Sequence, residues 1–240
     1  ILTNLLKAPL HLNRVTIPEG LTLQETAALL HNQGVADSAQ FAALSVDVAT
    51  VKAQGILSHT LEGYLFPETY NFSKSTSEAT IIKKMVDTFK ERTWKKKYRD
   101  RAIELGFSFH EIITLASLIE KETGKDSERK QISSVFHNRL KKNMRLQTDP
   151  TVIYAIANFD GNIRKHDLNI DSPYNTYRYK GLPPGPIASP GLKSIVSALY
   201  PANTSNLYFV SRQDGSHQFS ATLNEHNRAV QKYQLRRVGR

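Results

Sequence analysis

The chain has 240 residues, of which 40% are apolar and 22% charged. These proportions are typical of a globular protein and exclude a disordered or fibrous chain. The absence of cysteine excludes a disulfide scaffold, thiolate metal sites and a cysteine nucleophile. The formal charge of +10 at pH 7 favours a polyanionic partner, which charge alone does not identify among nucleic acid, anionic lipid and an acidic cell-wall polymer.

No stretch of the sequence approaches the ~18 consecutive apolar residues that a transmembrane helix needs. The chain begins with Ile1 rather than Met, and we expect a signal, an anchor or a leading domain ahead of it. The lack of a membrane-spanning segment is therefore uninformative about membrane attachment.

Residues 12–57 are predicted to form a small strand–helix–helix unit. Residues 12–17 alternate in polarity as a strand does, and Thr22 with Glu25 forms a capping box at the start of the first helix. A second short helix is predicted from Ser38. The pattern leaves open whether this unit binds a ligand or only completes an α+β fold.

Two further segments precede the middle of the chain. The aromatic residues of 62–72 alternate and predict an extended segment, and residues 75–101 predict one long amphipathic helix. The last part of this helix, residues 90–101, is rich in Lys and Arg. It is interpreted either as a solvated helix face or as a contact with an anionic polymer or membrane surface.

Residues 108–124 carry the sharpest local signal. Ser108 and Glu111 form a capping box, and the apolar residues that follow nearly surround the helix, which predicts a central position. Glu120 appears where the helix is still apolar. Burial would raise the pKa of its carboxyl and keep a proton available near neutral pH. The alternative is a glutamate at a helix end that pairs with a nearby lysine in solvent.

The rest of the chain alternates between helices, one rigid loop and one hairpin. Proline and glycine at high density in the loop preclude regular structure but fix the backbone, which suits the wall of a site. The predicted elements are helices at 127–142 and from 149 onward, the loop at 171–191, a helix at 191–199, strands at 206–211 and 217–220, and a last helix at 223–237.

Common catalytic and binding motifs are missing from the sequence. There is no phosphate-binding loop, no dinucleotide fingerprint and no His-Glu-x-x-His zinc motif. His217 and His226 are nine residues apart and would make only an unspecific metal pair. Tyrosines and basic helices could grip a single strand of nucleic acid, but no nucleic-acid motif accompanies them, so nucleic acid is not an expected partner.

The segment ASLIEKET at residues 116–123 resembles the catalytic signature of the YceG-like endolytic murein transglycosylases. The resemblance covers about residues 12–235. Its further blocks, in the family's order, are residues 62–70, 135–140, 144–152, 174–177, 181–187, 207–210 and 225–227.

This resemblance implies an α+β fold in which a small LysM-like, peptidoglycan-binding subdomain at residues 12–57 precedes a larger mixed α/β catalytic domain at residues 58–240. It also implies a single-pass protein of the bacterial inner (cytoplasmic) membrane, whose N-terminal helix is absent from this chain. The present region would then lie on the outer, periplasmic face, with peptidoglycan synthases as partners.

The resemblance further implies cleavage of the MurNAc–GlcNAc β-1,4 bond inside peptidoglycan glycan strands, with formation of a 1,6-anhydro-MurNAc end. Glu120 would protonate the glycosidic oxygen and then accept the proton of the C6 hydroxyl, and neither a metal nor an organic cofactor is required. Arg139 or Arg145 would pair with muramyl carboxylates. The residues expected to shape the sugar subsites are Asn138, Arg139, Gln147, Asp149, Tyr174, Asn175 and Tyr177.

Two other functions stay open at the level of sequence. A hydrolytic glycosidase would need a second carboxylate near Glu120, which Asp149 or Glu122 would supply. A non-catalytic wall-binding scaffold would use only the LysM-like unit and the basic surface.

Overall fold

A computed structural model describes residues 12–235 of the chain as a mixed helical and stranded fold. Two antiparallel sheets of two strands each pair β1 (Leu12–Thr16) with β2 (Thr69–Ser73), and β3 (Tyr208–Ser211) with β4 (His217–Ser220). The helices are α1 (Leu23–Asn32), α2 (Ser38–Val46), α3 (Val48–Ala53), α4 (Glu78–Thr93), α5 (Lys96–Glu104), α6 (Phe109–Glu122), α7 (Arg129–Lys141), α8 (Asp149–Ala155), α9 (Leu192–Leu199) and α10 (Leu223–Val230). A 3-10 turn (Asp167–Asn169) and a π-helical turn (Gln231–Leu235) complete them.

Helix α6 is the centre of the core, as its sequence predicted. Every residue from Ile112 to Ile119 is buried, and the helix packs against α5, α7, α8 and α9. The predicted capping box is present, since the Ser108 side chain accepts from the backbone N–H of Glu111 and the Glu111 side chain accepts from that of Ser108. Because the middle of α6 is buried, side chains of this helix reach the surface only at its two ends.

The N-terminal unit shares this core with the rest of the molecule. The predicted Thr22–Glu25 capping box begins α1, but β1 pairs with β2, which lies beyond the predicted boundary at residue 57. Backbone hydrogen bonds join Gly20 and Leu21 to Ser189 at 2.8 Å each. One continuous cluster of buried apolar residues spans both predicted parts, so residues 12–57 form part of a larger unit.

Two predicted elements differ in extent. Residues 75–101 form two helices rather than one, because the backbone leaves the helical region at Trp94, whose ring packs against Phe109 at 5.6 Å. Of the segment 62–72 predicted as extended, only the part from Thr69 onward is a strand. The predicted end of the last helix, residues 236–237, lies outside the described residues.

Within residues 12–235, no single helix has the length and apolar composition to cross a membrane. Helices α5 and α6 have that length and composition only when taken together, and their axes meet at an angle of 89°.

Gly63 is required by both its conformation and its surroundings. Its φ is +83°, and a Cβ placed there would lie 2.5 Å from Cβ of Pro186 and 3.3 Å from Cγ2 of Ile113. We therefore expect Gly63→Ala to lower the free energy of unfolding in urea by about 2–4 kcal/mol, from backbone strain plus overpacking.

Gly34→Ala is the matched control for this clash. Gly34 also has a positive φ, +64°, but no described atom lies within 4 Å of the added Cβ, so the expected cost is only ~1 kcal/mol. Equal losses in the two variants would mean that contact with Pro186 carries no strain.

Glu62 links the N-terminal unit to α8 through a buried carboxyl. Both of its oxygens accept from the backbone N–H of Leu23 at 3.0 Å, and the Tyr154 hydroxyl donates to it at 3.3 Å. Burial raises the pKa of Glu62 to about 7, against the smaller lowering effect of these hydrogen bonds. The folded protein is therefore most stable when the Glu62 carboxyl is protonated.

The sign of the pH dependence follows from this raised pKa. The stabilisation from Glu62 is complete below the ordinary glutamate pKa and is lost as the pH rises through about 7, a change on the order of 3 kcal/mol. We expect Glu62→Gln to unfold at nearly the wild-type temperature at pH 4.5 and at a higher temperature than wild type at pH 8. A difference between the two proteins that does not change with pH would contradict this account of Glu62.

Candidate active site

A cleft of about 430 Å³ lies where the C-terminal end of α6 meets α7, the start of α8, the β3–β4 hairpin and α10. Its volume is in the range of small-ligand sites. Its ionisable side chains are Glu122, Arg139, Asp149, Tyr177, His217 and His226. The cleft therefore collects acidic, basic and aromatic groups from six separate parts of the fold.

Glu122 supplies the carboxyl at the inner end of this cleft. The Thr148 hydroxyl donates a short hydrogen bond to its Oε1 and fixes its orientation. Burial raises the pKa of Glu122 to about 7, and the negative charge of Asp149 adds to this, whereas the Thr148 hydrogen bond and His217 lower it. A large fraction of the Glu122 carboxyl is therefore protonated at neutral pH and available to donate.

Glu120, the acid that the sequence favoured, does not line this cleft. Two residues apart on a helix correspond to a rotation of about 200°, so Glu120 and Glu122 point to nearly opposite sides of α6. Both oxygens of Glu120 are occupied: Oε1 accepts from Arg129 Nη2 at 3.0 Å and Oε2 from the backbone N–H of Gly191 at 2.9 Å. Its side chain is only 6% exposed.

Arg129 holds Glu120 within a network that joins four parts of the fold. Its Nε donates to the Ser194 hydroxyl at 3.0 Å, its Nη1 pairs with Asp126, and its Nη2 lies 3.8 Å from a carboxylate oxygen of Glu19. These contacts engage both carboxylate oxygens of Glu120 within the framework, away from the cleft. The contacts of Glu120 are therefore those of a structural ion pair.

The segment that carries Thr148 is fixed by hydrogen bonds to Thr176. Gln147 has a φ of +52°, and its N–H donates to the Thr176 carbonyl at 3.2 Å. The N–H of Thr148 donates to the Thr176 hydroxyl at 3.1 Å, and this hydroxyl also contacts that of Thr151 at 2.8 Å. These bonds set the backbone from which Thr148 reaches Glu122.

Arg139 lies in the cleft but is committed to holding its walls together. Its Nε donates to the carbonyl of Leu207 at 2.7 Å, and its Nη1 donates to those of Arg145 at 3.0 Å and Leu146 at 2.9 Å. Its guanidinium thereby ties the start of β3 to the segment before α8. Its Nη2 makes no hydrogen bond within residues 12–235, and the pairing of Arg139 with a muramyl carboxylate stays a prediction.

Four of the seven predicted subsite residues line the cleft: Arg139, Gln147, Asp149 and Tyr177. The Tyr177 hydroxyl donates to Asp149 across it. The other three serve the framework instead. Asn138 donates to the carbonyls of Thr204 and Asn206, Asn175 donates to those of Leu168 and Ile170, and Tyr174 packs on Tyr154 at 4.9 Å.

His217 is a cleft residue that the sequence suggested only as half of a weak metal pair. Its Nδ1 contacts Oε2 of Glu128 at 2.7 Å, and its backbone N–H donates to the other oxygen at 3.0 Å. His226 lies in the same cleft and stacks on Tyr208 at 5.1 Å. Within residues 12–235, no group of three or more His, Asp or Glu side chains is arranged to hold a metal ion.

The fold and the cleft define a protein with a buried, protonatable carboxyl at a ligand-sized site. A model of the YceG-like family matches residues 1–232 of the chain. The chain belongs to the YceG-like family, as the segment at 116–123 had indicated.

Known relatives agree with this membership. The chain is 47% identical over 178 residues to the endolytic murein transglycosylase of Bacillus subtilis, which covers 74% of this chain and 49% of the relative. It is 32% identical over 243 residues to the endolytic murein transglycosylase of Streptococcus pneumoniae, over 90% of this chain and 44% of that protein. The chain thus spans about half the length of these curated relatives.

A crystal structure of a YceG-like protein from Listeria monocytogenes has the same fold. Its TM-score to this chain is 0.79 at 40% sequence identity, over 90% of this chain and 74% of that one.

Proposed function

We propose that this chain is the catalytic part of an endolytic murein transglycosylase, which cleaves the MurNAc–GlcNAc β-1,4 bond within glycan strands and leaves a 1,6-anhydro-MurNAc end. The observation that carries this proposal is the carboxyl of Glu122, which Thr148 orients in the cleft and whose pKa burial raises to about 7. The names of the relatives support the choice of substrate.

In this reaction Glu122 donates its proton to the glycosidic oxygen as the bond to C1 of MurNAc breaks. A raised pKa matches this task, because a general acid works best when its pKa lies near the operating pH. The C6 hydroxyl of the same MurNAc then attacks C1, so the nucleophile belongs to the substrate and no attacking water is needed. Gln147, Asp149 and Tyr177 offer hydrogen-bonding groups to the sugar from the cleft walls.

The proposed acid is therefore Glu122 and not Glu120. Glu120 has the burial that the sequence pattern suggested, but Arg129 and Gly191 satisfy its charged form. Arg129 lies outside the cleft, and a substrate in the cleft would have no access to the Glu120 oxygens.

The other implications of the family concern the setting of the reaction. The role of residues 12–57 as a LysM-like, peptidoglycan-binding subdomain stays a prediction, because the pairing of β1 with β2 and the shared core favour a framework role. We further propose action on the outer face of the cytoplasmic membrane, with a membrane-anchoring helix supplied outside this chain and peptidoglycan synthases as partners.

A hydrolytic glycosidase is the second candidate, because the cleft holds a second carboxylate. Asp149 accepts a hydrogen bond from Tyr177 in the same cleft as Glu122 and could activate water as an inverting glycosidase does.

Mass spectrometry of digested glycan strands separates these functions. Purified, uncrosslinked strands are incubated with the chain, and the ends produced are counted. Transglycosylation predicts anhydro-MurNAc ends, 18 Da lighter than the reducing ends that hydrolysis makes, by the mass of one water. Reducing ends would favour the hydrolase, and intact strands would leave only a binding role.

A further inference from the structure

The hydrogen-bonded pair of His217 and Glu128 has no part in the mechanism given so far. The two side chains are 13% and 12% exposed, and Glu128 accepts from both the ring and the backbone N–H of His217. Glu128 is the N-cap residue that immediately precedes α7, and His217 begins β4, so this contact fixes the hairpin against the start of that helix. Two contacts to one carboxylate give the imidazole a single orientation.

This orientation leaves the second ring nitrogen, Nε2, unengaged by Glu128. With Glu128 ionised, Nδ1 of His217 is the donor, so Nε2 of the neutral ring is an acceptor. Within residues 12–235, Nε2 makes no hydrogen bond. It is not a fully buried unpaired atom either, so it keeps some exposure to solvent. Since His217 lines the cleft, Nε2 is open to a ligand there.

We propose that His217, oriented by Glu128, is the base that accepts the proton of the MurNAc C6 hydroxyl while Glu122 protonates the leaving oxygen. The proposal rests on the proposed function and assigns its second proton transfer to a different group. His217 is then a catalytic residue, and Glu128 is a positioning residue that acts through it.

The two transfers balance. The bond between C1 of MurNAc and the glycosidic oxygen breaks, and that oxygen takes the proton of Glu122 and leaves as the C4 hydroxyl of GlcNAc. The C6 oxygen forms the new bond to C1 and gives its proton to Nε2 of His217. The site ends as a Glu122 carboxylate and an imidazolium, and transfer of one proton from the ring to the carboxylate restores it.

The electrostatics of the cleft favour Glu122 as the proton donor and His217 as the proton acceptor. The charged products attract each other in a site with little water, and the Glu128 carboxylate stabilises the imidazolium further. Glu122 and His217 already interact, since the charge of His217 lowers the pKa of Glu122. Glu128 contacts His217 directly, and the other charged or titratable groups that share the cleft with it are Glu122, Arg139, Asp149, Tyr177 and His226.

The test compares anhydro-MurNAc formation by wild type, His217→Gln, Glu128→Gln and the exposed control His31→Gln between pH 5 and 9. We expect His217→Gln to lower kcat by ~10²–10³-fold, as for loss of a general base, with little change in KM. Wild-type kcat should fall toward acidic pH, as for any reaction that needs a free general base, and this acidic limb should be absent from His217→Gln. Glu128→Gln should have a smaller loss and a displaced acidic limb, and His31→Gln should match wild type.

Chemical rescue separates a proton acceptor from a structural residue. Added imidazole should restore part of the kcat of His217→Gly, whose thermal unfolding is measured alongside, and should not rescue Glu122→Gln. Wild-type kcat with an unchanged acidic limb in His217→Gln, while Glu122→Gln makes no anhydro ends, would overturn this inference alone. A wild-type chain that makes no anhydro ends would overturn the proposed function and this inference with it.

Discussion

Glu122→Gln should abolish the formation of anhydro-MurNAc ends while the protein stays folded. Gln is nearly isosteric and can still accept the hydrogen bond of Thr148, but it has no proton to donate. Loss of a general acid typically costs ~10²–10⁴-fold in rate, and burial gives Glu122 the raised pKa that this role needs. The measurement is a chromatographic count of anhydro-muropeptides against time.

Glu120→Gln is the matched control, since it makes the same chemical change two residues earlier on the same helix. Its carboxylate faces Arg129 and Gly191 rather than the cleft, so the folded variant should cleave at close to the wild-type rate. If Glu120→Gln is inactive and Glu122→Gln active, the acid is the one that the sequence pattern favoured, and the cleft geometry has been misinterpreted.

The largest expected effect on stability is that of Arg129→Met. This change leaves Glu120, only 6% exposed, without its cation, and breaking a buried ion pair by removal of one partner costs about 3–5 kcal/mol. For a chain of this size we expect a fall in Tm on the order of 10 °C. Differential scanning calorimetry at pH 7 measures it directly.

Lys193→Met is the control for the loss of a positive charge near the same acidic groups. Lys193 pairs with Asp126 at the surface, where the two side chains are 67% and 55% exposed, and exposed pairs contribute at most about 1 kcal/mol. Equal losses of Tm in Arg129→Met and Lys193→Met would show that burial of the Glu120–Arg129 pair has no special cost.

Local rules predicted much of the fold. The capping boxes at Thr22 and Ser108 follow from short-range spacing, and the central position of α6 follows from its nearly continuous apolar surface. The break at Trp94 was missed because the apolar periodicity continues through it, whereas in the fold the Trp94 ring packs against Phe109, a contact that local spacing does not show. The division at residue 57 stays a prediction, and the pairing of β1 with a strand more than fifty residues away is a long-range contact that no local pattern indicates.

The sequence motif predicted which segment carries the site, but not which of its side chains enters the cleft or which contacts orient it. The sequence pattern correctly indicated that Glu120 is buried, but it contains no sign of Arg129, which satisfies that charge. The orientation of Glu122 depends on Thr148, and the role of His217 depends on Glu128, in each case through contacts between distant residues. The hydrogen bonds of Asn138 and Asn175 to backbone carbonyls are likewise contacts that no local pattern indicates.

The most direct test of the central claim is a carbon-13 NMR titration of the side-chain carboxyls in protein labelled at glutamate. Burial raises the pKa of both Glu122 and Glu62 to about 7, so two carboxyl resonances should titrate near neutral pH. Glu62→Gln should remove one of them and Glu122→Gln the other, while Glu120→Gln leaves both in place. A carboxyl titrating near pH 7 that disappears in Glu120→Gln and persists in Glu122→Gln would contradict the assignment of Glu122 as the acid.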